Sequence, residues 1–326
     1  MKNYNWGIIG TGRIAHSFAK ALCGTDNAVP YAAASRTYEK AQSFAGEFGF
    51  SKAYGSYAEL AGDTAVDAVY IATPMASHFE DAKLCLSAGK NVLCEKAVTL
   101  NSAQLEELFA LAEKNGVFFM EAMWMKCLPV YLKAKDLVKS GRIGEITGIS
   151  ADFSNAVPYM PDDRLFRPDL GGGALLDMGI YPLTMAMDFL GSEPESIITS
   201  ANISRGIDMS SIIQLKYPGA TASVYSGFEA GLENRAAVYG TDGIILFGKC
   251  FFCSDELILL DLRNNTTERF KAGFDINGYE FEIREFQRCL SEGLTDSPLV
   301  PHKDTLAVMR VMDDCRRQWG LKYPNE

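Results

Sequence analysis

The sequence predicts an α/β protein in two parts: an N-terminal parallel sheet wound with helices, then a C-terminal α+β domain with a large, mostly antiparallel sheet. Three observations lead there. Over residues 5–120, short apolar runs alternate with stretches of helical period, the signature of βαβ units. Over residues 196–270, strand-like runs follow one another directly, parted by turn signals such as YPGA, GTDG and RNN. The 326 residues, 48% of them apolar, suffice for two domains, each with its own core. The expected domains are 1–122 and 123–326, with the last helices free to pack back on the first.

In the first part, strands are predicted at 6–9, 30–34, 68–72, 91–94 and 117–121, and helices at 14–22, 38–48, 77–88 and 102–114. Asn101 is the expected N-cap of the last of these, with Gln104 three residues on and Gly116 just past the end. A helix at 130–139 opens after Pro129 and closes on Gly141, and 146–153 reads as a strand. Residues 155–173, rich in Pro, Asp and Gly, read as a long loop of the kind that often serves as a lid. Helical patterns at 279–290 and 305–319 finish the chain.

Charge narrows the partners. A net charge of −10 with no basic run would repel a phosphate backbone, so nucleic acid is not expected. No window approaches the roughly 18 uninterrupted apolar residues of a membrane helix, and the start runs into a strand without a cleavable signal pattern; the expected location is cytoplasmic. Eight cysteines are spread through apolar stretches such as KLCLSAG and NVLCEK, as reduced, buried thiols would be. Cys250 and Cys253 form a C-x-x-C in KCFFCSD. A zinc site needs two further ligands, and the histidines are His16, His78 and His302, so core packing is the reading and no metal is expected.

The run N-W-G-I-I-G-T-G-R-I-A sets Gly10, Gly12 and Ala15 in the G-x-G-x-x-[G/A] arrangement, directly after a strand and opening a helix. Gly10 permits a tight turn, Gly12 lets backbone approach a pyrophosphate, and Ala15 lets helix and strand close up. That context predicts a Rossmann domain, with Gly10, Thr11, Gly12, Arg13 and Ile14 lining the phosphate turn. The second strand ends Ala34-Ser35-Arg36-Thr37, where an NAD site usually carries Asp or Glu. Arg36 can take a 2′-phosphate and Ser35 can add a hydroxyl bond, so NADP is preferred over NAD. The alternative is that Arg36 is a surface charge at a helix start.

At Ile71-Ala72-Thr73-Pro74, His78 and Cys94-Glu95-Lys96-Ala97 the sequence resembles the glucose–fructose oxidoreductase / inositol dehydrogenase / MocA family. M-E-A-M-W, K-S-G-R-I-G-E-I and G-G-G-A-L-L-D-M-G-I-Y look most like its dihydrodiol dehydrogenase and sugar dehydrogenase branch. The resemblance spans essentially the whole chain. It implies that Thr73, Pro74, His78, Glu95 and Lys96 lie along the cofactor, with Lys96 at the end of the fifth strand near the nicotinamide. Asp177 and Tyr181 would reach it from the second domain, Tyr181 as the proton-transfer residue and Asp177 orienting the substrate hydroxyl or Lys96. Their spacing of four on a helical pattern independently sets them on one face. Trp124, Phe153 and Arg164 are the candidate substrate contacts, with core packing the alternative for Trp124. A solvated loop charge is the alternative for Arg164 and Arg167. Glu95 and Lys96 could equally be a strand-end ion pair. Ala97 stands where most relatives carry proline, so the backbone restraint of that ring is missing.

A phenol titrates at about 10, and acting as a base near neutrality would require a drop of about 3 units, or about 4 kcal/mol. An ammonium about 4 Å away at an effective dielectric of about 20 supplies about that much before desolvation. Lys96 could therefore just poise Tyr181 as a base, whereas carbonyl reduction asks it only to donate a proton it already holds. The expected function is an NAD(P)-dependent oxidoreductase moving a hydride between nicotinamide and a sugar, polyol, dihydrodiol or related carbonyl. Two alternatives stay open, a non-catalytic NAD(P)-binding sensor and a lyase or glycosidase that uses the cofactor transiently. Resemblance further implies a homodimer through the open face of the C-terminal sheet.

Overall fold

The computed structural model describes residues 2–324 and 326 and divides the chain into two compact units, Met1–Cys127 with Phe274–His302, and Leu128–Gly273 with Lys303–Glu326. The first break falls five residues beyond the expected 122, and the stretch 274–302 belongs with the first unit.

In the first unit the order is β1 (Tyr4–Ile9), α1 (Arg13–Gly24), β2 (Ala28–Ala34), α2 (Tyr38–Phe48), β3 (Lys52–Tyr54), α3 (Tyr57–Gly62), β4 (Ala68–Ile71), α4 (Met75–Ser87), β5 (Asn91–Glu95), α5 (Ser102–Asn115) and β6 (Phe119–Ala122). The six strands lie parallel in the order 3-2-1-4-5-6. Strands covered on both faces need continuous apolar runs, which is why every residue of β4 (AVYI) and β6 (FMEA) is buried. The order reverses between β1 and β4, and the crevice beyond the carboxyl ends of such strands is where open α/β sheets bind ligands. Two elements here have no counterpart in the sequence reading, β3 and α3. The Asn101 cap of α5 accepts from Gln104 N at 2.9 Å, but Gln104 Oε1 accepts from Leu100 N rather than closing a reciprocal box on Asn101.

The second unit runs α6 (Pro129–Lys139), β7 (Ile146–Ser154), a π turn (Leu175–Gly179), α7 (Ile180–Leu190), β8 (Ser196–Ser204), β9 (Ile207–Tyr217), β10 (Ala220–Gly227), β11 (Ala236–Gly240), β12 (Ile244–Phe247), β13 (Glu256–Leu260) and β14 (Thr266–Lys271). Its eight-stranded sheet has the order 14-13-12-11-7-10-9-8, antiparallel except where β10 runs parallel to β7. Along β9, Ser211, Ile213, Leu215 and Tyr217 are buried while Ile212, Gln214 and Lys216 are exposed, the alternation of a sheet with one covered face. Helix α7 lies on that face against β7 and β10. Residues 155–173 are a loop, as expected, stiffened by short 3₁₀ turns at Arg164–Phe166 and Pro168–Leu170.

Helix α8 (Tyr279–Ser291) returns to the first unit because Phe286 lies 4.9 Å from Trp6 and 5.0 Å from Phe118, ring centre to ring centre. Helix α9 (His302–Trp319) closes the chain. Phe286 is fully buried, so Phe286→Ala should cost about 3–5 kcal/mol. A urea titration followed by far-UV circular dichroism should show the first unit melting early; a loss under about 1 kcal/mol would mean α8 is peripheral to that core.

Candidate active site

The glycine turn leaves β1 with Gly10 at φ +89°. A β-carbon there would stand 2.8 Å from the Ala72 carbonyl oxygen and 3.0 Å from Thr73 N, so only glycine lets the β1–α1 turn meet the loop after β4. Gly12 is the N-cap of α1. No side chain caps that end, no acidic residue sits in its first turn, and a β-carbon on Gly12 would meet nothing within 4 Å. A helix N-terminus with unclaimed N–H groups and open space in front is the setting a pyrophosphate requires, so the residues present fit a dinucleotide. Ala15 is fully buried beneath the turn. Thr11 Oγ1 reaches Ser35 Oγ at 3.4 Å, tying the turn to the end of β2. Ser35 is buried, and Arg36 beside it is exposed.

The loops after β4 and β5 are joined by one imidazole. His78 on α4 sets its ring nitrogens 2.8 Å from the Thr73 carbonyl and 2.9 Å from the Ala97 carbonyl. Where a proline would restrain the backbone after Lys96, this chain holds the Ala97 carbonyl by a side chain instead. Thr73 Oγ1 donates to Asp81 at 2.6 Å, and burial pushes the Asp81 carboxyl up. Glu95 accepts the Tyr70 hydroxyl and, at 3.2 Å, the backbone N–H of Lys96. Tyr70 remains a donor because burial and the Glu95 charge hold its phenol well above the usual range. The predicted cofactor residues thus gather at the carboxyl ends of β1, β2, β4 and β5. Trp124 follows β6 and stacks on Tyr279 with rings 4.7 Å apart and 4° from parallel.

In the second unit, Asp177 sits in the π turn and Tyr181 in the first turn of α7. A π turn is uncommon and recurs at functional sites. Arg164 Nη1 donates to Asp177 Oδ1 at 3.0 Å, while the arginine side chain stays 45% exposed on its loop. Arg167 pairs with its neighbour Asp169 in the same loop. Tyr181 is buried, with Phe153 of β7 at 5.6 Å and Phe252 at 5.2 Å, and those two phenylalanines stack on each other at 4.1 Å. Phe252 belongs to the 3₁₀ turn Phe251–Cys253, between the paired cysteines. Burial pushes the Cys253 thiol up to about 12. Among the described residues no group of three or more His, Cys, Asp or Glu could hold a metal.

Residues 4–123 match the description "Oxidoreductase family, NAD-binding Rossmann fold", and residues 131–246 match the "GFO/IDH/MocA C-terminal domain". The chain belongs to the Gfo/Idh/MocA family. It is 37% identical to the trans-1,2-dihydrobenzene-1,2-diol dehydrogenase of Xenopus laevis, over 98% of this chain and 99% of that one. It is 31% identical to the NADP(+)-dependent D-xylose 1-dehydrogenase of Hypocrea jecorina, over 98% and 93%. A 3-ketoreductase from Actinomadura kijaniata, solved with NADP and TDP-benzene, superposes with a TM-score of 0.86 at 28% identity, over 97% of this chain and 98% of that one. Variants of that ketoreductase with a lysine replaced by alanine and a tyrosine replaced by phenylalanine have also been solved. As a Gfo/Idh/MocA member the chain is an NAD(P)-dependent oxidoreductase.

Three residues that neighbour the predicted site residues within their own units escaped the sequence reading. Phe252 was hidden inside an apolar run that read as core, and Tyr279 looked like an ordinary helix start. Glu282 on α8 is fully buried, and burial and the Glu95 charge push its carboxyl well above the usual range. Its signal in the sequence was an acid one turn before Phe286, on a face that also carries the buried Glu285. If Arg36 carries a 2′-phosphate, Arg36→Ala should weaken NADPH binding about ten- to hundredfold by fluorescence titration and leave NADH nearly unchanged. Equal losses for both cofactors would assign Arg36 to the adenine or to the fold.

Proposed function

We propose that this enzyme interconverts a carbonyl and the corresponding hydroxyl on a sugar, polyol or dihydrodiol-like substrate, with NADP(H) preferred, Tyr181 as the proton-transfer residue and Lys96 as its cationic partner. The observation carrying this reading is the setting of Tyr181. Its ring is held by Phe153 and Phe252, one turn beyond an Asp177 that is itself held by Arg164. Such packing fixes where a phenol hydroxyl points, which proton transfer demands. Relatives named for dihydrodiol and xylose oxidation and for ketone reduction support the substrate class.

The roles divide as follows. The Gly10–Gly12 turn and the α1 N-terminus bind the pyrophosphate, and Ser35 with Arg36 receives the adenosine ribose and its phosphate. Bound nicotinamide supplies or accepts the hydride. Lys96, its backbone fixed on Glu95, offsets charge growing on the substrate oxygen. Tyr181 delivers the proton to that oxygen in reduction, and Asp177 orients the hydroxyl. Phe153 and Phe252 exclude water from the Tyr181 ring.

We place the enzyme in the cytoplasm; among the described residues no helix is long and apolar enough to cross a membrane. The reading includes a homodimer through the open face of the second unit's sheet, where Ile198 and Ile212 are 65% and 48% exposed on adjacent strands. Large aliphatic groups left uncovered on a flat face favour a partner of the same kind. On size exclusion the wild type should elute at twice the mass of Ile212→Asp; equal elution removes the dimer.

The chemistry is tested by a spectrophotometric screen of aldoses, polyols and dicarbonyls with both cofactors. Lys96→Met should abolish NADPH oxidation while leaving NADPH affinity within about threefold, and Tyr181→Phe should lower kcat about 10²- to 10⁴-fold. Unchanged turnover in Lys96→Met would remove its assignment. Product formed without any net change in NADPH would move the reading to transient use of the cofactor.

A further inference from the structure

The turn that carries Asp177 begins on a buried carboxylate. Asp208, on β9, is fully buried, and its Oδ2 accepts the Leu175 backbone N–H at 2.6 Å, with the Ala174 N–H also directed at it. Its other oxygen, Oδ1, lies 2.3 Å from where a β-carbon on Gly173 would stand, and the Tyr323 hydroxyl lies 3.2 Å from the same point. Gly173 adopts φ +127°, so the glycine is required twice, for the backbone conformation and for the room it leaves the carboxylate. Three consecutive residues, 173 to 175, are therefore shaped around one acidic side chain that comes from more than thirty residues downstream.

We propose that Asp208 is a positioning residue for proton transfer: in its ionised form it holds the Ala174 and Leu175 N–H groups and so fixes the π turn bearing Asp177 and the start of the helix bearing Tyr181. The proposal rests on the roles given above to Asp177 and Tyr181. A carboxylate is an acceptor on both oxygens and binds N–H donors about twice as strongly as a neutral group does. Protonation weakens that grip where the start of the π turn is hydrogen-bonded to β9.

The surroundings set where this happens. Burial pushes the Asp208 carboxyl up to about 7, against the opposing pull of the Leu175 and Ala174 N–H groups and the Arg316 charge. The titratable groups facing it are Arg316 and Cys315 from α9 and Tyr323 from the C-terminal segment, with Asp313 and Glu326 paired to Arg316. Burial pushes both the Cys315 thiol, to about 12, and the Tyr323 phenol up, so these two stay neutral where Asp208 titrates. The sign follows from linkage. The folded chain holds this proton more tightly than the unfolded chain does, so the stability it contributes is present in full below about pH 4 and is lost as pH rises to about 7. Stability and turnover are thus expected to run in opposite directions across that window.

The full-length enzyme tests this by kcat and KM between about pH 5.5 and 9, together with thermal unfolding over about pH 4 to 8, for the wild type, Asp208→Asn, Tyr323→Phe and Tyr181→Phe. Asp208→Asn should lower kcat about ten- to hundredfold at pH 8, flatten the acid limb near pH 7, leave the KM for NADPH within about twofold, and flatten the fall of stability with pH. Tyr323→Phe keeps the carboxylate but makes its buried surroundings less polar, which disfavours the charged form; it should move the acid limb to higher pH and gives the answer should Asp208→Asn fail to fold. If Tyr181→Phe is crippled while Asp208→Asn or Tyr323→Phe leaves the wild-type limb in place, the positioning role is wrong and the assignment of Tyr181 stands. If Tyr181→Phe turns over normally, the reading of Tyr181 falls, and this proposal with it.

Discussion

At Gly10 the backbone of the first strand passes so near the Ala72 carbonyl that a single added carbon would sit 2.8 Å from it, and at Gly173 the same absence of a side chain admits the Asp208 carboxylate. Both candidate sites depend on backbone that only glycine permits. In the first unit the consequence is that α1 starts at the sheet's carboxyl edge with its N–H groups facing outward. In the second it is that the π turn can be fastened to the sheet from below, leaving Asp177 on the turn and Tyr181 just beyond it. Side chains do the chemistry, but close backbone approach decides where those side chains begin.

A chain with net charge −10 has to receive an anionic dinucleotide, and it does so by keeping negative charge local. The first turn of α1 carries no acid, and Arg13 in that turn and Arg36 just past β2 are both exposed. The acids buried beneath the strand ends are disarmed in different ways. Glu95 accepts from the Tyr70 hydroxyl and the Lys96 N–H, Asp81 is held by Thr73, and burial pushes the Glu282 carboxyl toward its uncharged form. Formal charge therefore overstates the field that a phosphate would meet in the turn.

The first unit was legible because a parallel sheet writes itself as apolar runs at regular intervals, and the glycine fingerprint marks which turn holds the phosphates. Strand β3 was not, since three residues are too few to show a period. Helix α3 left a trace that could have been read, a Ser56 to Glu59 capping box closed in both directions. In the second unit the spacing of Asp177 and Tyr181 was visible, but not the π turn that holds Asp177, because the run from Leu175 to Met187 is buried nearly all round and has no apolar stripe for an extra residue to shift. Arg164 and Asp177 are thirteen apart across a loop, and Asp208 reaches Leu175 from another strand; contacts of that range carry no periodic signal. The return of α8 was left open by the sequence, since the apolar face holding Phe286 does not say which core it serves.

Division between backbone and side chain also accounts for how such a fold can serve different substrates. The phosphate turn is constrained at nearly every position, by φ at Gly10, by close packing at Ala15 and by the hydroxyl pair of Thr11 and Ser35. The surroundings of Tyr181 are not. Its neighbours come from three separate places, Phe153 from a strand, Phe252 from a short 3₁₀ turn and the Arg164 loop through Asp177. Phe252 and the Arg164 loop lie outside the paired strands, and Phe153, though on a central strand, meets Tyr181 only through its side chain, so these side chains can change shape and polarity without disturbing the backbone that binds the cofactor. Relatives similar over nearly the whole chain, yet named for a dihydrodiol, a pentose and a ketone, are what such a separation would produce. On the roles proposed above, substrate choice is to be sought in the side chains around one phenol, and cofactor binding in the backbone around Gly10 and Gly12.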